Sequence, residues 1–188
     1  PTAGLHFTPQ LLKQIKLGHS WNELTLNVGL GTFLPVKEND IQDHHMHSES
    51  YTISPTTSQN IHSLKHSEKK LLSIGTTTMR ALESNATLPH SSDPCAAIGE
   101  RSELLTPGSY STSIFIYPPY KFQLVDALMT NFHLPGSTLL MLVSAFCSAP
   151  NSNEKFTSFT DSLLGRAYAI AIKEKYRFFS FGDAMLII

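Results

Sequence analysis

The order of apolar and polar residues predicts strands and helices that alternate along the chain. Residues 23–28 alternate between apolar and polar side chains, which is the period of a strand. Residues 71–75 and 113–117 are short apolar runs typical of buried strands, and a further strand is predicted to begin at Tyr176. The segments with helix starts or helical spacing are residues 8–15, 54–65, 76–83, 138–146 and 156–175. Residues 85–108 are rich in Pro, Ser and Gly, which predicts a long, exposed connection.

The segment at residues 130–137 (TNFHLPGS) places a polar cluster, a Pro-Gly turn and a helix start close together. The residue before the proline should be extended, Gly136 allows a sharp turn, and Ser137 can cap a following helix. This predicts a strand, a tight loop and a buried helix, with Asn131 and His133 held at the loop. Ligands usually bind at such places in α/β sheets, just past a strand end. The alternative is that Asn131 holds the turn and His133 is a hydrogen-bonded core histidine, and the segment leaves both open.

Residues 44–49 (HHMHSE) concentrate imidazole and carboxylate groups. In a strand His45, His47 and Glu49 would share one face, whereas in a helix His44 and His47 would. A histidine and a glutamate at a strand edge suit acid–base work or hydrogen bonding to a substrate. The alternatives are a solvated, histidine-rich edge and a zinc or iron site. No further metal ligand with suitable spacing is indicated elsewhere in the sequence, so no metal is expected.

Two further segments have the composition of ligand-binding turns. Gly29 and Gly31 belong to a turn that would let the backbone approach a ligand, although most such pairs are plain turns and the third glycine of a dinucleotide fingerprint is absent. A strand, a glycine and a hydroxyl cluster precede the helix at residues 76–83, which presents backbone N–H and hydroxyl groups to an anionic or polar ligand. The lysine and spacing of a P-loop are absent. Arg80 and Glu83 are three residues apart, and the simplest interpretation pairs them on the helix surface.

The composition fits one globular domain and shows no highly charged surface. The chain has 188 residues, enough for one substantial domain or for a domain with an appendage. Hydrophobic residues make up 41% and charged residues 15%, which fits a packed core and excludes a disordered tail. The formal net charge is -1, so a nucleic-acid partner would have to meet a local basic patch.

Three features concern the cellular location of the protein and the completeness of the chain. Cys95 and Cys147 have no metal-type spacing and are predicted to be reduced, structural thiols of a cytoplasmic protein. The apolar run at residues 139–146 is too short to cross a bilayer and no signal-peptide pattern opens the chain, so a soluble protein is expected. The chain begins at Pro1 without a methionine, which suggests a fragment.

Seven segments together resemble one protein family. They are PTAGLHFT at 1–8, VGLGTF at 28–33, His44 with MHSE at 46–49, GTT at 75–77 with RALE at 80–83, FIYP at 115–118, TNFHLP at 130–135 with STLL at 137–140, and YRFFSFGDAM at 176–185. In this order they resemble the S-adenosylmethionine:tRNA ribosyltransferase-isomerases of queuosine biosynthesis. The resemblance runs from one end of the chain to the other.

The resemblance implies both a fold and a reaction. The fold would be an irregular α/β domain, a mixed sheet with flanking helices, which follows an inserted β-barrel. Residues 1–188 would be this single α/β domain, without the amino-terminal portion and the barrel. The enzyme would transfer and isomerise the ribosyl moiety of S-adenosylmethionine onto the aminomethyl-deazaguanine wobble base in the tRNA anticodon loop, giving epoxyqueuosine and releasing adenine and methionine. S-adenosylmethionine would be the co-substrate, no metal is required, and a cytoplasmic monomer is expected.

The implied chemistry requires a general base at the ribose carbon beside the sulfonium, an acid for adenine departure and stabilisation of ylide-like charge. Acid–base candidates in the matching segments are His133, His47, Glu49, His44 and Asp183. Candidates for binding S-adenosylmethionine are Gly29, Gly31, Thr76, Thr77, Asn131, Arg80 and His6.

Four positions depart from the pattern of this family. Asn27 and Leu34 stand where histidine and arginine are expected, and Ser113 and Pro119 stand where aspartate and glycine are expected. Two charges and one proton-transfer group are thereby lost. The competing interpretation is therefore a truncated or degenerate, non-catalytic copy that keeps the core and a weak ligand site.

Overall fold

The computed structural model describes residues 2–29, 32, 36, 40–88 and 105–188. The helices within these ranges are α1 (Pro9–Gly18), α2 (Pro55–His62), α3 (Thr76–Ala86), α4 (Thr138–Phe146) and α5 (Leu163–Lys173). The strands are β1 (Leu24–Leu26), β2 (Glu49–Ile53), β3 (Leu72–Ile74), β4 (Gly108–Thr112), β5 (Ala127–Asn131) and β6 (Ala184–Ile187). Short 3-10 turns lie at Thr2–His6, Ile41–Asp43, Ser63–His66 and Phe179–Phe181.

The described strands form two small sheets. In the first, β2 lies between β1 and β4 and is antiparallel to both. In the second, β5 lies between β3, to which it is parallel, and β6, to which it is antiparallel. The predicted α/β class is confirmed, and the mixed sheet is the second one. The first sheet is purely antiparallel and was not expected as a separate unit.

The parallel pair in the second sheet brings two strand ends to one edge. Ile74 of β3 lies opposite Met129 of β5, and the N–H of Gly75 donates to the carbonyl of Met129 at 2.8 Å. Strands β3 and β5 both end at this edge of the sheet. Helix α3 follows β3, and helix α4 follows β5. Because β6 is antiparallel to β5, it begins at the same edge, with Ala184 opposite Asn131. The predicted strand, loop and buried helix around residue 131 is confirmed.

Three helices begin at the capping residues that the sequence predicts. The side chains of Thr8, Ser54 and Ser137 accept hydrogen bonds from N–H groups in the first turns of α1, α2 and α4. The apolar run of α4 is buried on almost every side, and Leu142 and Val143 lie at the centre of the core with the buried face of α3. These two helices therefore hold the strand ends that precede them in fixed positions.

The strand predicted at residues 113–117 is wrong. The strand here is β4, five residues earlier, and its last pair joins Thr112 to Glu49. Since β2 begins at Glu49, it offers no partner for the residues after Thr112, and a strand without a partner does not form.

Three other boundaries differ from the sequence interpretation. Helix α5 begins at Leu163, capped by Ser162, and not near residue 156. No strand begins at Tyr176, because the chain instead makes the turn Phe179–Phe181 before β6. The connection predicted from residue 85 begins later, because α3 continues to Ala86; residues 89–104 lie outside the described ranges.

Glu83 is fully buried and does not pair with Arg80 on a helix surface. Its Oε2 accepts the N–H of Gln123 at 2.7 Å, and its Oε1 accepts the N–H groups of Leu124 at 3.0 Å and Val125 at 3.1 Å. One carboxylate thus holds the turn that leads into β5. The predicted surface pair is wrong because Glu83 binds the chain before β5 and Arg80 binds Glu49.

We expect Glu83→Gln to lower the free energy of unfolding by about 2–3 kcal/mol, since charged hydrogen bonds are lost and the amide nitrogen faces a backbone donor. Urea denaturation measures this difference. Gln123→Ala is the matched control, because it keeps the backbone N–H group that Glu83 binds and should change stability by less than about 0.5 kcal/mol. Equal losses in the two variants would contradict the assigned role of the carboxylate.

Cys147 is buried, and burial raises the pKa of its thiol to about 11. This agrees with the structural role predicted from the sequence, because the reactive form is the thiolate. Cys95 lies outside the described residues. Among the helices of the described ranges, none is long and apolar enough to cross a membrane.

Candidate functional site

A buried ion pair joins the first sheet to helix α3. Arg80 Nη1 lies 2.8 Å from Glu49 Oε2, and the two residues are 2% and 3% exposed. Arg80 Nη1 also donates to Thr32 Oγ1 at 3.0 Å, and the Thr32 hydroxyl donates to Glu49 Oε1. The N–H of Gly29 donates to the same Oε1 at 2.8 Å. Both oxygens of Glu49 are engaged, so this carboxylate is placed to position Arg80 and the Gly29 turn rather than to act as a free base.

The other donors of Arg80 have no partner within the described residues. Its Nε and Nη2 atoms are buried and make no hydrogen bond there. Burial lowers the pKa of Arg80 from its ordinary value, while Glu49 opposes this shift. Buried donors without partners are rare, and each requires an explanation such as a catalytic role or a bound water or ion. The Nη1 atom of Arg80 is therefore held by Glu49 and Thr32, whereas the edge formed by Nε and Nη2 has no hydrogen-bond partner in the described chain.

His133 follows β5 and is buried at the same edge of the second sheet. Its Nε2 lies 2.9 Å from the hydroxyl of Thr130, and its backbone N–H donates to the hydroxyl of Tyr168 at 2.8 Å. Burial lowers the pKa of His133 to about 4, so the imidazole is neutral near pH 7. The side chain is thus held as a neutral, hydrogen-bonded imidazole, an arrangement that both sequence interpretations of His133 allow.

The buried imidazole predicts a pH dependence of stability. The pKa of His133 is lower in the folded chain (about 4) than the ordinary value near 6.5, so unfolding takes up a proton as the pH falls below 6.5. We expect the His133 contribution to be complete above pH 6.5 and to decrease towards pH 4, by about 3 kcal/mol in total. Urea denaturation of the wild type and of His133→Gln between pH 7 and 4 measures it. The difference between the two proteins should narrow as the pH falls, and a constant difference would contradict the prediction.

Asn131 connects three segments at the end of β5. Its Oδ1 accepts the hydroxyl of Thr2 at 3.1 Å, and its Nδ2 lies 3.2 Å from His6 Nε2. The same Nδ2 donates to the carbonyls of Gly182 at 3.5 Å and Asp183 at 3.4 Å. The first turn of the chain, the end of β5 and the start of β6 therefore meet at one side chain.

Asp183 lies at this junction but its carboxylate is paired with Arg177. Arg177 Nη2 lies 2.7 Å from Asp183 Oδ1, and the Arg177 N–H donates to Oδ2 at 2.8 Å. Hydrogen bonding from Arg177 lowers the pKa of Asp183 below its ordinary value, with a smaller contribution from His6. Both oxygens of Asp183 are thus bound to Arg177, which stabilises the turn before β6.

The histidine-rich segment is not part of the strand that begins at Glu49. Residues 44–48 precede β2, so His45, His47 and Glu49 do not share a strand face; His45 and His47 are exposed and Glu49 is buried. No hydrogen bond joins His47 to Glu49 in the described chain, and the ring of His44 packs against Phe115 at 5.1 Å. Within the described ranges, His, Cys, Asp and Glu form no cluster of three that could hold a metal.

The first turn of α3 borders a shallow groove. Thr76 is buried, whereas Thr77 is half-buried and lines the groove together with Thr78 and strand β1. The groove continues to Val28, one residue before Gly29, whose N–H binds Glu49. Gly31 lies outside the described residues. The groove is therefore next to the buried ion pair.

The two halves of the site are linked through the chain after Gly29. Thr32 belongs to the buried ion pair, and the N–H of Val36 donates to the carbonyl of Gly136 at 3.0 Å. Four residues span at most about 14 Å, so the Cα of Thr32 lies within that distance of the Cα of Val36. Thr32, which binds Arg80, is therefore within that distance of a residue that is hydrogen-bonded to the loop after His133.

Sequence reasoning missed two contributors to this site. Thr32 was not among the candidates, and its only signal was a hydroxyl next to the Gly29 and Gly31 pair. Tyr168 lies within the predicted helix at residues 156–175 and was not a candidate either, yet its hydroxyl accepts the backbone N–H of His133. Three of the four departing positions, Asn27, Ser113 and Pro119, are exposed, and Leu34 lies outside the described residues.

Comparisons with known proteins agree with the resemblance in the sequence. The protein family described as queuosine biosynthesis protein matches residues 1–187. The chain belongs to this family. The resemblance stated from the sequence segments is therefore confirmed.

Relatives in the queuosine biosynthesis family share nearly half of the residues of this chain. It is 48% identical over 188 residues to the S-adenosylmethionine:tRNA ribosyltransferase-isomerase of Clostridium kluyveri, covering all of this chain and 48% of that protein. It is 49% identical over 189 residues to the enzyme of the same name from Sulfurihydrogenibium sp., again with 100% and 48% covered. The chain thus spans about half the length of the curated relatives it matches.

A solved structure supports the same fold. The crystal structure of S-adenosylmethionine tRNA ribosyltransferase from Thermotoga maritima is 39% identical, with a TM-score of 0.68. The similarity covers 99% of this chain and 51% of that protein. The two sheets and the site edge described above therefore belong to a fold that the family shares.

Proposed function

We propose that this chain is the α/β part of an S-adenosylmethionine:tRNA ribosyltransferase-isomerase. It would transfer and isomerise the ribosyl moiety of S-adenosylmethionine onto the aminomethyl-deazaguanine wobble base in the tRNA anticodon loop. The products would be epoxyqueuosine in tRNA, adenine and methionine. The observation that supports this proposal best is the 48% identity to a protein of that name over all 188 residues.

The site chemistry is consistent with this reaction. The sulfonium of S-adenosylmethionine acidifies the adjacent ribose carbon, and a neutral imidazole is a suitable proton acceptor there. His133 is neutral near pH 7 and lies at the end of β5, where we propose that it acts. Glu49 would hold Arg80, a buried cation, in position for an electrostatic contact with the substrate. Asn131 would hold the surrounding segments together.

We expect His133→Ala to reduce turnover by roughly a hundredfold or more, the usual scale for a lost acid–base group. The measurement is adenine release at saturating S-adenosylmethionine, corrected for the folded fraction. His45→Ala is the matched control, because His45 is exposed and precedes β2, and it should retain the wild-type rate. A near-normal rate in His133→Ala would remove this residue from the mechanism.

The experiment that tests the proposed function is adenine release from S-adenosylmethionine with precursor tRNA present and then omitted. Release that depends on precursor tRNA would support the transferase. The specificity control is tRNA with guanine at the wobble position, which lacks the acceptor amine and should give no release. Absence of release under all conditions would favour the competing interpretation, a non-catalytic copy.

The proposed substrate also bears on location and assembly. tRNA modification would place the protein in the cytoplasm, and we expect it to act as a monomer. Analytical ultracentrifugation with and without tRNA measures the second expectation.

A further inference from the structure

We propose that the first turn of α3 and the open edge of Arg80 form a binding site for the carboxylate of the methionine moiety of S-adenosylmethionine. This inference rests on the proposed function, because it specifies how that substrate is held. It assigns Arg80 a direct contact to one chemical group of the substrate.

The start of α3 has free hydrogen-bonding capacity. The residue before the helix is Gly75, whose backbone φ angle is 87°. No side chain caps the first turn. The first N–H groups of a helix point along the axis without intrahelical partners, and the helix dipole favours an anion there. At 11 residues, α3 is long enough for this effect. Helices α1, α2 and α4 differ in having side-chain caps from Thr8, Ser54 and Ser137.

Arg80 provides the independent second observation. It is 2% exposed, and its Nε and Nη2 have no hydrogen-bond partner in the described chain. Helical side chains lean towards the N-terminal end of their helix, so the guanidinium of Arg80 is directed over the turn that begins at Thr76. Nε and Nη2 form one edge of the guanidinium, and two parallel donors on one edge match the two oxygens of a carboxylate.

The surroundings favour a small monoanion over a phosphate of the tRNA backbone. Glu49 already neutralises part of the charge of Arg80 at 2.8 Å, which leaves an environment suited to a single negative charge. Arg80 is only 2% exposed, so a small carboxylate would reach its Nε and Nη2 atoms with less displacement of protein than the backbone of a large polyanion. The adjacent groove is lined by Leu24, Leu26 and Val28, and such apolar side chains suit the methylene groups of a methionine moiety.

The test compares ligands that differ only at the methionine end. S-adenosylmethionine and decarboxylated S-adenosylmethionine are titrated calorimetrically into the wild type and Arg80→Lys. Lysine keeps a charge for Glu49 but lacks the second edge of the guanidinium. The wild type should bind S-adenosylmethionine about tenfold to a hundredfold more tightly than the decarboxylated ligand, the scale of a charged hydrogen-bonded pair. In Arg80→Lys the ratio of the two affinities should fall to near one. S-adenosylmethionine should bind more weakly, and the affinity for the decarboxylated ligand should stay unchanged.

A second variant keeps the test decisive even where Arg80→Lys is poorly folded. Thr77→Glu places a carboxylate at the start of α3, where acidic residues stabilise helices. It should weaken binding of S-adenosylmethionine at least tenfold and leave binding of 5′-methylthioadenosine, which has no amino-acid end, unchanged. Thr87→Glu, at the exposed opposite end of α3, is the matched control and should change neither affinity.

The outcomes separate this inference from the proposed function. Equal affinity of the wild type for the two sulfonium ligands would overturn the carboxylate site, even if tRNA-dependent adenine release were observed. Weaker binding of tRNA with unchanged binding of S-adenosylmethionine in Arg80→Lys would overturn it as well, in favour of a phosphate contact. Failure of the wild type to bind S-adenosylmethionine would overturn both this site and the proposed function.

Discussion

Arg80→Met is expected to lower the free energy of unfolding by about 3–5 kcal/mol, because it leaves the carboxylate of Glu49 buried without a cation. The pair is almost completely shielded from water, with side chains 3% and 1% exposed, so solvent cannot replace the lost partner. Thr32 and Gly29 would still donate to Glu49, but two neutral donors offset only part of the cost of a buried charge. Urea denaturation at pH 7 measures the loss.

Two comparisons make this prediction specific. Arg166→Met removes the arginine of an ion pair with Glu154 whose side chains are 53% and 43% exposed, and should cost less than about 1 kcal/mol. The double variant Arg80→Met/Glu49→Gln removes both charges and should be more stable than Arg80→Met alone. If Arg80→Met and Arg166→Met are equally destabilising, the buried pair does not have the role that its geometry indicates.

Glu49→Gln is expected to reduce turnover by roughly a hundredfold or more, the scale on which acid–base and charge-positioning groups act. The amide keeps the size of the side chain, but it removes the negative charge that holds Arg80 Nη1. It also turns an NH2 group towards a donor, since Gly29, Thr32 and Arg80 all donate to this carboxylate. Adenine release in the presence of precursor tRNA measures the rate.

The control for Glu49→Gln is Glu154→Gln, which makes the same chemical change in the exposed pair and should retain the wild-type rate. Because a buried charge is left unpaired, rates are compared at equal folded protein, with circular dichroism as the check. A variant that is folded, binds S-adenosylmethionine as the wild type does and turns over normally would exclude Glu49 from the site.

Elements with a local cause were predicted well from the sequence. Ser137 was expected to cap a buried helix after a Pro-Gly turn, and it accepts the N–H of Leu140 at 3.2 Å. The starts of α1 and α2 follow the same rule, because a cap requires only residues three positions apart. The candidate site residues Asn131, Thr76 and Arg80 were chosen in the same way, since each lies beside a strand end or a glycine turn, and their roles stay predictions.

Elements with a partner far along the chain were predicted poorly. The apolar run after Thr112 has strand composition, but pairing with β2 ends at Glu49, so the strand lies at Gly108–Thr112 instead. Likewise, Arg80 was predicted to pair with Glu83, three residues away, whereas its partner in the structure is Glu49, 31 residues away. Sequence spacing reports only neighbours on one helix or strand, and both errors concern contacts between elements.

The sequence by itself determined the family and the α/β class and proposed the segments of the candidate site, because each depends on short motifs and on local hydrogen-bonding preferences. Only the tertiary structure decided what the side chains in those segments do. It paired Glu49 with Arg80, buried His133 as a neutral imidazole and left Nε and Nη2 of Arg80 without a hydrogen-bond partner in the described chain. The physical reason is that burial and charge pairing depend on which elements pack together, and that packing is a property of the whole fold.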